Sequence, residues 1–589
     1  MTSLLSLNEQ KPFSWKSFWL YYLFFFYFSG VYQIIIFSSG LAGGTGLRQA
    51  IYMSFLWLIP LLIIPRYSKI ISAFTGLLLW ASSLVTMGYF ALYGQDFSQS
   101  VLFILFESNL SEGSEFLESY FSWWMIPALI AYSLAPLFLW TKTKPINGSI
   151  KIRQALALSL SLIIAWPVFN SLILNQAGLD RAISKQINRM EPSAPWHLVM
   201  GYVKYKQQLN EIEKNLLLNE TLPPLKKLVD KNADTPNTLV LVIGESTNRQ
   251  RMSLYGYDRD TTPNLNAMRE EFLVFENVYA TRPYTIEALE QVLTFADARN
   301  PNLYMEKPTL INLMKQAGYK TYWITNQQTQ TKRNTMLTTF SKQADEQIYL
   351  NNNRMQDAAQ YDGVVIKPFE KILNDSTRKK FIVIHLLGTH RKYHYRYPDN
   401  FDIYNASDLA KWLSNKQTQE YNEYDNAIRY NDHVVANIIQ RFKASEDNGL
   451  LVYFSDHGEE VYDDPKHLFA GRNEGAPTSP MYTIPFIVWR SDSWKKQNDL
   501  MDTQEMVHRR YSSSDFIYTW SDLAGINFEG FDATRSLVNH DFSNHPIWIG
   551  DPDNPKKLRD LQTQPFADEK QAVHIVKDTK DLKQYNSVN

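Results

Sequence analysis

Three apolar segments of the chain lead directly into carboxylate or imidazole side chains. The segments and the residues that follow them are TLVLVIG (238–244) with Glu245, FIVIHLL (381–387) with His390, and LLVYFS (450–455) with Asp456 and His457. One such residue after a strand is an ordinary turn or cap, but three from distant parts of the chain favour a shared metal site. The chain has no cysteine, so the ligands are carboxylate and imidazole, a set that suits zinc and, less well, manganese.

A catalytic metal site also needs a group that reacts. In a chain without thiols the hydroxyls are the natural candidates for a nucleophile. The residues alone do not choose among Ser246, Thr247, Thr281, Thr285 and Thr389.

Strands must bring these side chains together. Besides the three segments, the runs at 320–325 and 484–489 are apolar and uninterrupted, as expected for strands buried on both faces of a largely parallel sheet. Helical spacing at 308–318 and 429–444 separates the runs, and this alternation predicts an α/β domain of three layers. In such domains the chemistry lies beyond the carboxyl ends of the strands, where the charged residues stand.

The first third of the chain has a different pattern. Five apolar stretches are long enough to cross a bilayer, at 18–37, 48–65, 70–93, 122–140 and 153–172. Lysine and arginine concentrate before the first stretch and in alternate loops, which predicts a cytoplasmic N-terminus. Five crossings then put the rest of the chain on the far side of the membrane, which for a bacterial inner membrane is the periplasm.

The predicted organisation has three parts: a transmembrane domain (1–172), an amphipathic connector along the membrane surface (173–235) and a catalytic domain (236–589). Lys and Arg number 59 against 60 Asp and Glu. This balance gives no reason to expect a nucleic-acid partner.

Several motifs together resemble one family, the phosphoethanolamine transferases of Gram-negative inner membranes, within the alkaline phosphatase and sulfatase superfamily. They are VIGES (242–246), MSLYGYDRDTTPNL (252–265), HLLGTH (385–390) and FSDHGEE (454–460). Further phrases, FSQSVLF, RMEPSAPW, TRPYT, WITNQQT and NDHVVA, are similar to the branch that modifies the heptose region of the lipopolysaccharide core. The resemblance implies a sulfatase-like α/β/α catalytic domain behind five transmembrane helices.

The resemblance also implies roles for individual residues. Glu245, Asp456 and His457 would be zinc ligands, and Thr285 would be the nucleophile and the fourth ligand. An alternative for Thr285 is an N-cap of the helix that follows it. The remaining implied roles are phosphate or acceptor contact and proton donation for His390 and His467, and binding of the donor headgroup for Glu107, Ser108 and Glu112. His385 is interpreted as structural, while Glu459 and Glu460 stay open between support of the metal site and solvated charge.

The implied reaction is transfer of phosphoethanolamine from phosphatidylethanolamine to lipopolysaccharide, at a core heptose, through a phosphoethanolamine-threonine intermediate. Alternatives are a phosphoglycerol transferase, a lipid A-directed phosphoethanolamine transferase and a non-enzymatic sensor or assembly factor. A sulfatase is disfavoured because no Ser-x-Pro-x-Arg sequence occurs near 281–290. The sequence leaves the number of zinc ions and the oligomeric state open.

Overall fold

The structure is a computed structural model that describes residues 12–39, 44–93, 123–171, 183, 186–187, 189–203, 206, 222–328, 335–351, 361–405, 413–464, 468–500, 503–552 and 555–567. The chain forms two compact units, Met1–Gln208 and Leu209–Asn589. The break between them falls inside the segment expected to be a connector. The division into three parts at 172 and 235 stays a prediction.

The first unit contains five helices that are long and apolar enough to cross a membrane. They are α1 (Trp15–Ser38), α2 (Thr45–Ile63), α3 (Pro65–Leu92), α4 (Met125–Lys142) and α5 (Ile150–Phe169). Each of the five predicted stretches is found, with ends that differ by a few residues. Helix α1 packs against α2, α3 and α4 and buries aromatic side chains such as Tyr21 and Phe25.

Part of the expected connector contacts these helices. Gln33 Nε2 donates to the carbonyl of Pro192 at 3.0 Å, and the backbone N–H of Ala194 donates to Ser29 Oγ at 2.9 Å. Both polar side chains belong to the second half of α1, well inside the helix. They form hydrogen bonds with backbone groups of an irregular segment, and lipid hydrocarbon could not form these bonds. The RMEPSAPW segment therefore belongs to the helical unit.

The second unit is organised around a sheet of seven strands in the order β3-β11-β8-β2-β7-β5-β6. Their bounds are β2 (Asn237–Gly244), β3 (Phe272–Val274), β5 (Lys320–Gln328), β6 (Glu346–Asn351), β7 (Lys379–His385), β8 (Gly449–Ser455) and β11 (Phe486–Arg490). All neighbours from β8 to β6 are parallel. Strand β11 is antiparallel to both β8 and β3, so the largely parallel sheet predicted from the sequence is confirmed.

Smaller elements complete the unit. The short strands are β1 (Val229–Asp230), β4 (Asn277–Tyr279), β9 (Glu460–Val461), β10 (Ala470–Gly471), β12 (Arg510–Ser512), β13 (Ile526–Asn527), β14 (Trp548–Ile549) and β15 (Arg559–Asp560). The helices are α6 (Pro263–Ala267), α7 (Thr285–Val292), α8 (Leu310–Gln316), α9 (Thr335–Lys342), α10 (Ile366–Leu373), α11 (Asn415–Ala444), α12 (Ser479–Tyr482), α13 (Asp492–Gln497), α14 (Thr503–Met506) and α15 (Phe516–Ala524).

The sheet has a hydrophobic core on each face. Alternate residues of β2 point to opposite sides: Leu239 and Leu241 pack in the core with α7, α8 and α15, whereas Val240 and Val242 pack in the core with α10 and α11. A strand covered on both faces has few polar positions, which explains the nearly continuous apolar run. The three-layer α/β/α fold is confirmed.

Strand register places the predicted site residues at one edge. Gly244 of β2 lies opposite Ser455 of β8, and Ile243 lies opposite His385 of β7. Because the strands are parallel, the residues that follow each of them leave the sheet on the same side.

Candidate metal and catalytic centre

Glu245, Asp456 and His457 meet at this edge of the sheet. All three side chains are fully buried, and each offers a ligand atom within 4.8 Å of the others. His457 Nε2 lies 3.3 Å from Glu245 Oε1 and 3.4 Å from Asp456 Oδ2. The three residues that follow β2 and β8 thus form one cluster.

The hydroxyl of Thr285 joins the same cluster. Thr285 is the first residue of α7, and its Oγ1 donates to Glu245 Oε2 at 2.9 Å and lies 3.3 Å from His457 Nε2. The N-cap of the helix is Tyr284, and no side chain caps this end. The alternative reading of Thr285 as an N-cap is therefore wrong, because its hydroxyl is turned toward the carboxylate and the imidazole.

The tautomer of His457 suits a metal ligand. Its Nδ1 lies 2.9 Å from the carbonyl oxygen of Gly458, which can only accept, so Nδ1 carries the hydrogen. In the neutral ring the lone pair is then on Nε2, the atom that faces Glu245, Asp456 and Thr285. Fixing one ring nitrogen by a hydrogen bond is how proteins orient histidines at metal sites.

Each carboxylate is held by further polar groups. Asp456 Oδ1 accepts the backbone N–H groups of Ser246 at 3.2 Å and His457 at 2.7 Å. Its Oδ2 is buried and has no hydrogen-bond partner among the described residues. A buried carboxylate oxygen without a partner is costly, so Oδ2 is the atom most in need of a cation.

Glu245 is oriented by Gln327, a residue that the sequence did not single out. Gln327 Nε2 donates to Glu245 Oε2 at 3.2 Å and to the carbonyl of Leu386 at 2.8 Å. Ser246 Oγ donates to the other oxygen, Oε1, at 2.8 Å. Both oxygens are therefore fixed in direction before any ion binds.

The backbone around Glu245 is strained and crowded. Ser246 has a φ of 58°, a left-handed conformation that is uncommon for a residue other than glycine. Gly388, with a φ of 56°, lies so close that a Cβ there would be 2.7 Å from both the N and the O of Glu245. Asp362 accepts the N–H groups of Leu387 and Gly388 at 2.8 and 2.7 Å, which holds this close approach in place.

The spacing of the ligand atoms fits a tetrahedral ion. An ion with metal–ligand distances of about 2.0–2.1 Å, typical of zinc, separates its ligands by about 3.3–3.4 Å. The separations around His457 Nε2 are 3.3 Å to Glu245, 3.4 Å to Asp456 and 3.3 Å to Thr285. Two carboxylates, one imidazole and one hydroxyl are also a chemically suitable ligand set.

The charges in the cluster influence one another strongly. Burial alone would raise the pKa of Glu245, but the hydrogen bond and charge of His457, with His390 and Arg472, hold that pKa well below its usual value. Burial and the charge of Glu245 raise the pKa of Asp456 to about 7. The pKa of His457 is raised, since Asp456 and Glu245 outweigh its burial. Two acids so close favour a cation between them.

Arg472 was missed by the reading of the sequence, yet it contacts the cluster directly. Its Nη1 donates to His457 Nε2 at 2.8 Å and lies 3.6 Å from Glu245 Oε1. The surrounding segment, GRNEGAP, reads as an ordinary polar loop. A lone arginine in such a loop gives no signal of its position in the fold.

Glu459 and Glu460 are both buried, so the interpretation of them as solvated charge is wrong. Glu460 accepts a hydrogen bond from Thr478, and the charge of Glu459 acts on Arg472. Gly458 is needed for close packing, because a Cβ there would collide with the carbonyl oxygen of Pro480.

The other predicted residues have different outcomes. His390 lies on the loop after β7, and its charge acts on Glu245. His385 is fully buried beside Trp323, and burial lowers its pKa to about 4, in keeping with a structural role. The remaining candidates lie outside the described residues: His467, Glu107, Ser108 and Glu112.

Comparison with known proteins gives consistent relatives. Residues 237–526 match the model of the Sulfatase family. The chain is 48% identical to the phosphoethanolamine transferase EptC of Escherichia coli K12, over 95% of this chain and 98% of that one. It is 47% identical to the phosphoethanolamine transferase CptA of Salmonella typhimurium, over 96% of this chain and 99% of that one.

Solved structures agree with the fold. A crystal structure of the C-terminal periplasmic domain of E. coli EptC, in complex with Zn, is 54% identical and matches with a TM-score of 0.57 over 59% of this chain and 98% of that one. The integral membrane phosphoethanolamine transferase EptA of Neisseria meningitidis, 18% identical, matches with a TM-score of 0.60 over 88% of this chain and 98% of that one. The second match supports the fold alone, including the helical unit.

Proposed function

The chain belongs to the phosphoethanolamine transferases with a sulfatase-type catalytic domain, and from that membership we propose that it transfers phosphoethanolamine from phosphatidylethanolamine to lipopolysaccharide through Thr285. The position of the Thr285 hydroxyl carries this proposal, since it lies between a carboxylate and an imidazole of a candidate metal centre. Membership argues against a phosphoglycerol transferase and a non-enzymatic sensor.

Glu245, Asp456, His457 and Thr285 would hold the metal, and zinc is the ion that fits their spacing. The E. coli EptC domain, which shares 54% of its residues with this chain, was solved as a complex with Zn. When bound, zinc lowers the pKa of a hydroxyl that it contacts and offsets negative charge on phosphoryl oxygens.

The first step forms a bond between Thr285 Oγ1 and the phosphorus of the donor lipid. Thr285 Oγ1 is hydrogen-bonded to Glu245 Oε2, which orients the hydroxyl, and a bound metal would lower the pKa of that hydroxyl so that its proton passes to solvent before the oxygen attacks. The bond from phosphorus to the diacylglycerol oxygen breaks, and diacylglycerol leaves after taking up a proton. His390 and His467 are the candidate donors of that proton.

The second step releases the group from Thr285. A hydroxyl or phosphate oxygen of the acceptor attacks phosphorus from the side that diacylglycerol has left. The bond between phosphorus and Oγ1 breaks, and Thr285 recovers its proton. The backbone strain at Ser246 and the bond from Gln327 keep Glu245 oriented in both steps.

Both substrates are envelope lipids, which accounts for the five membrane helices. The arrangement of lysine and arginine between those helices supports a cytoplasmic N-terminus and a periplasmic catalytic unit. Similarity to CptA and to the core-modifying branch supports a heptose of the lipopolysaccharide core as the acceptor. The donor-binding roles of Glu107, Ser108 and Glu112 remain part of this proposal.

Thr285→Ala tests the nucleophile, with Thr281→Ala as its matched control in the same loop. Thr281 Oγ1 is buried without a hydrogen-bond partner among the described residues. Mass spectrometry of lipopolysaccharide should show no phosphoethanolamine with Thr285→Ala and near-normal modification with Thr281→Ala. Both proteins should keep their zinc to within about tenfold in affinity, because three protein ligands suffice for a catalytic site.

The same spectra separate the remaining alternatives. Phosphoethanolamine on the core supports the proposal, whereas phosphoethanolamine on lipid A would reject the heptose acceptor and keep the chemistry. Full modification by the Thr285→Ala protein would overturn Thr285 as the nucleophile.

A further inference from the structure

Arg472 places a positive charge at the point where the metal ligands meet. Its guanidinium contacts the same nitrogen atom, His457 Nε2, that Thr285 Oγ1 faces. The side chain is mostly buried, with 13% of its surface exposed. A buried arginine at this point is not explained by the metal ligands, because a cation would repel the ion that they bind.

The position of Arg472 is built into the fold. It follows β10, which pairs with β9, and β9 begins directly after Glu459. The carbonyl of Ala470 accepts a hydrogen bond from Arg391 Nη1 at 2.7 Å, which ties this hairpin to the loop of His390. Arg472 is therefore attached to the two loops that bear predicted site residues.

A second connection runs to the segment that bears the nucleophile. Arg282, three residues before Thr285, forms a two-pronged ion pair with Glu474, two residues after Arg472, with Nη2 and Oε2 3.0 Å apart. Both partners are nearly buried. Such a pair fixes geometry as well as charge, so it ties the loop of Arg472 to the segment that leads into α7.

One lone pair cannot serve two partners. If a metal binds the Nε2 lone pair of His457, Arg472 Nη1 loses its present acceptor and needs another one. The guanidinium would still lie beside the reacting hydroxyl, with up to five N–H donors. A phosphoryl group attacked by Thr285 offers oxygens in that space, and the planar fork of arginine matches two of them.

The charges of the site lead to the same conclusion. Glu245, Asp456 and Glu459 are buried acids, and Glu459 has no hydrogen-bond partner for either oxygen among the described residues. A divalent ion offsets two of these negative charges. Arg472, on which the charges of Glu459, Glu245 and Asp456 act, adds a positive charge where an anionic phosphodiester would bind.

We propose that Arg472 is a catalytic residue that binds the phosphoryl oxygens of the transferred phosphoethanolamine and supplies the positive charge that a second metal ion would otherwise provide. The proposal rests on the proposed function, since it assumes phosphoryl transfer at Thr285. It predicts a working site with one zinc and one guanidinium. Charge that develops on the phosphoryl oxygens in the transition state would be stabilised by both.

The alternative is a purely structural role, in which Arg472 only holds His457. The two roles differ in what fails when the guanidinium is removed. A structural arginine affects zinc affinity, whereas a phosphoryl-binding arginine affects the binding of oxyanions and the turnover of zinc-loaded protein.

The test uses the full-length protein with zinc, as wild type, Arg472→Gln and Arg472→Lys. Arg441→Gln is the control, because Arg441 is exposed and forms a surface ion pair with Glu370. For each protein, zinc content, thermal unfolding, kcat and KM for phosphatidylethanolamine, and binding of inorganic phosphate by competition are measured.

Arg472→Gln should keep zinc at the wild-type ratio while kcat falls by about 10²–10³-fold, the usual effect of losing a donor to developing charge. Phosphate binding should weaken by about tenfold or more. Arg472→Lys should recover part of kcat but less of the phosphate binding, since an ammonium lacks the fork. Arg441→Gln should match wild type.

Three results would overturn the role of Arg472: wild-type kcat in Arg472→Gln, loss of zinc in proportion to activity, or unchanged phosphate affinity. A second zinc in the wild-type protein would also overturn it. Failure of the proposed function has a different signature, because wild type itself would then transfer no phosphoethanolamine or Thr285→Ala would remain active.

Discussion

Comparing two clusters of buried charge in the catalytic unit shows a difference in whether their charges are balanced. One is the metal-ligand cluster of Glu245, Asp456 and His457. The other, here called the arginine cluster, consists of Arg251, Asp425, Asp463 and Arg259. Both are formed by residues distant in sequence and both exclude most water.

The arginine cluster is complete. Arg251 donates to Asp425 Oδ1 at 2.7 Å and to Asp463 Oδ1 at 2.9 Å, and Arg259 donates to Asp425 Oδ2 at 2.7 Å. The ring of Tyr421 stacks against the Arg251 guanidinium at 3.5 Å. Two positive charges face two negative ones, so nothing further is needed.

The metal-ligand cluster is incomplete by the same criteria. It has an excess of acid, and Asp456 Oδ2 has no hydrogen-bond partner among the described residues. The His457 lone pair is met only from outside the cluster, by Arg472 Nη1. Burial of charge therefore does not identify a functional site. A buried cluster whose own residues leave charge and lone pairs unsatisfied does.

The largest expected difference between substitutions in the two clusters is in the rate of phosphoethanolamine transfer. Asp456→Asn removes one metal ligand and a charge that is unfavourable in the metal-free fold, because the pKa of Asp456 is raised to about 7. Zinc binding should be lost and transfer should fall by at least about 10³-fold. The metal-free variant should unfold at the same temperature as metal-free wild-type protein, or at a higher one. Zinc analysis and thermal unfolding of purified protein check both statements, and a marked loss of metal-free stability would contradict them.

The arginine cluster should respond in the opposite way. Asp425→Asn leaves the buried Arg251 without its main partner, which should lower the free energy of unfolding by about 3–5 kcal/mol. The folded fraction should bind zinc and transfer normally. Lys443→Ala is the control, because Lys443 and Glu271 form an exposed pair worth only about 0–1 kcal/mol. If Asp425→Asn and Lys443→Ala lowered the free energy of unfolding equally, the arginine cluster would not stabilise the fold as argued.

The sequence predicted the metal-ligand cluster better than the arginine cluster, for a physical reason. Glu245, Asp456 and His457 each follow an apolar run, and the rule that parallel strands end at one edge brings them together. Arg251 and Arg259 lie in the MSLYGYDRDTTPNL motif, and Asp425 lies in the middle of α11. No local rule links a loop to the middle of a helix.

The residues that support the metal ligands were also beyond reach. Gln327 lies at the end of β5, where an amide looks like any polar strand end, and Arg472 stands in a loop. Their roles depend on which strands are neighbours, and the order of strands in a sheet is a property of the whole fold. The contacts of the RMEPSAPW segment were equally out of reach, because its partners, Ser29 and Gln33, belong to a helix that precedes it by more than a hundred residues.

A smaller effect should appear in the pH dependence of zinc binding. The folded protein raises the pKa of Asp456 to about 7, above its usual value, so a proton competes with zinc below that pH. Apparent affinity should fall by at least about tenfold for each pH unit below 7, because the pKa of His457, a second ligand, is raised as well. The metal-free fold should behave oppositely and gain stability as the pH falls from about 7 toward about 4. Competition with a chromophoric chelator between pH 5 and 8 measures the first trend, and a flat profile would contradict it.

The smallest expected effect comes from Gln327, which supports a ligand without being one. Gln327→Leu removes the hydrogen bond to Glu245 Oε2 and leaves the carbonyl of Leu386 without this donor. Zinc affinity should fall by about tenfold, the lower end of what such supporting residues contribute. Gln347→Leu makes the same change at an exposed position of β6 and should have no effect. If Gln327→Leu binds zinc as tightly as wild type, then Gln327 is not needed to orient Glu245. The backbone at Ser246 and the close contact with Gly388 would then hold the Glu245 carboxylate in place by themselves.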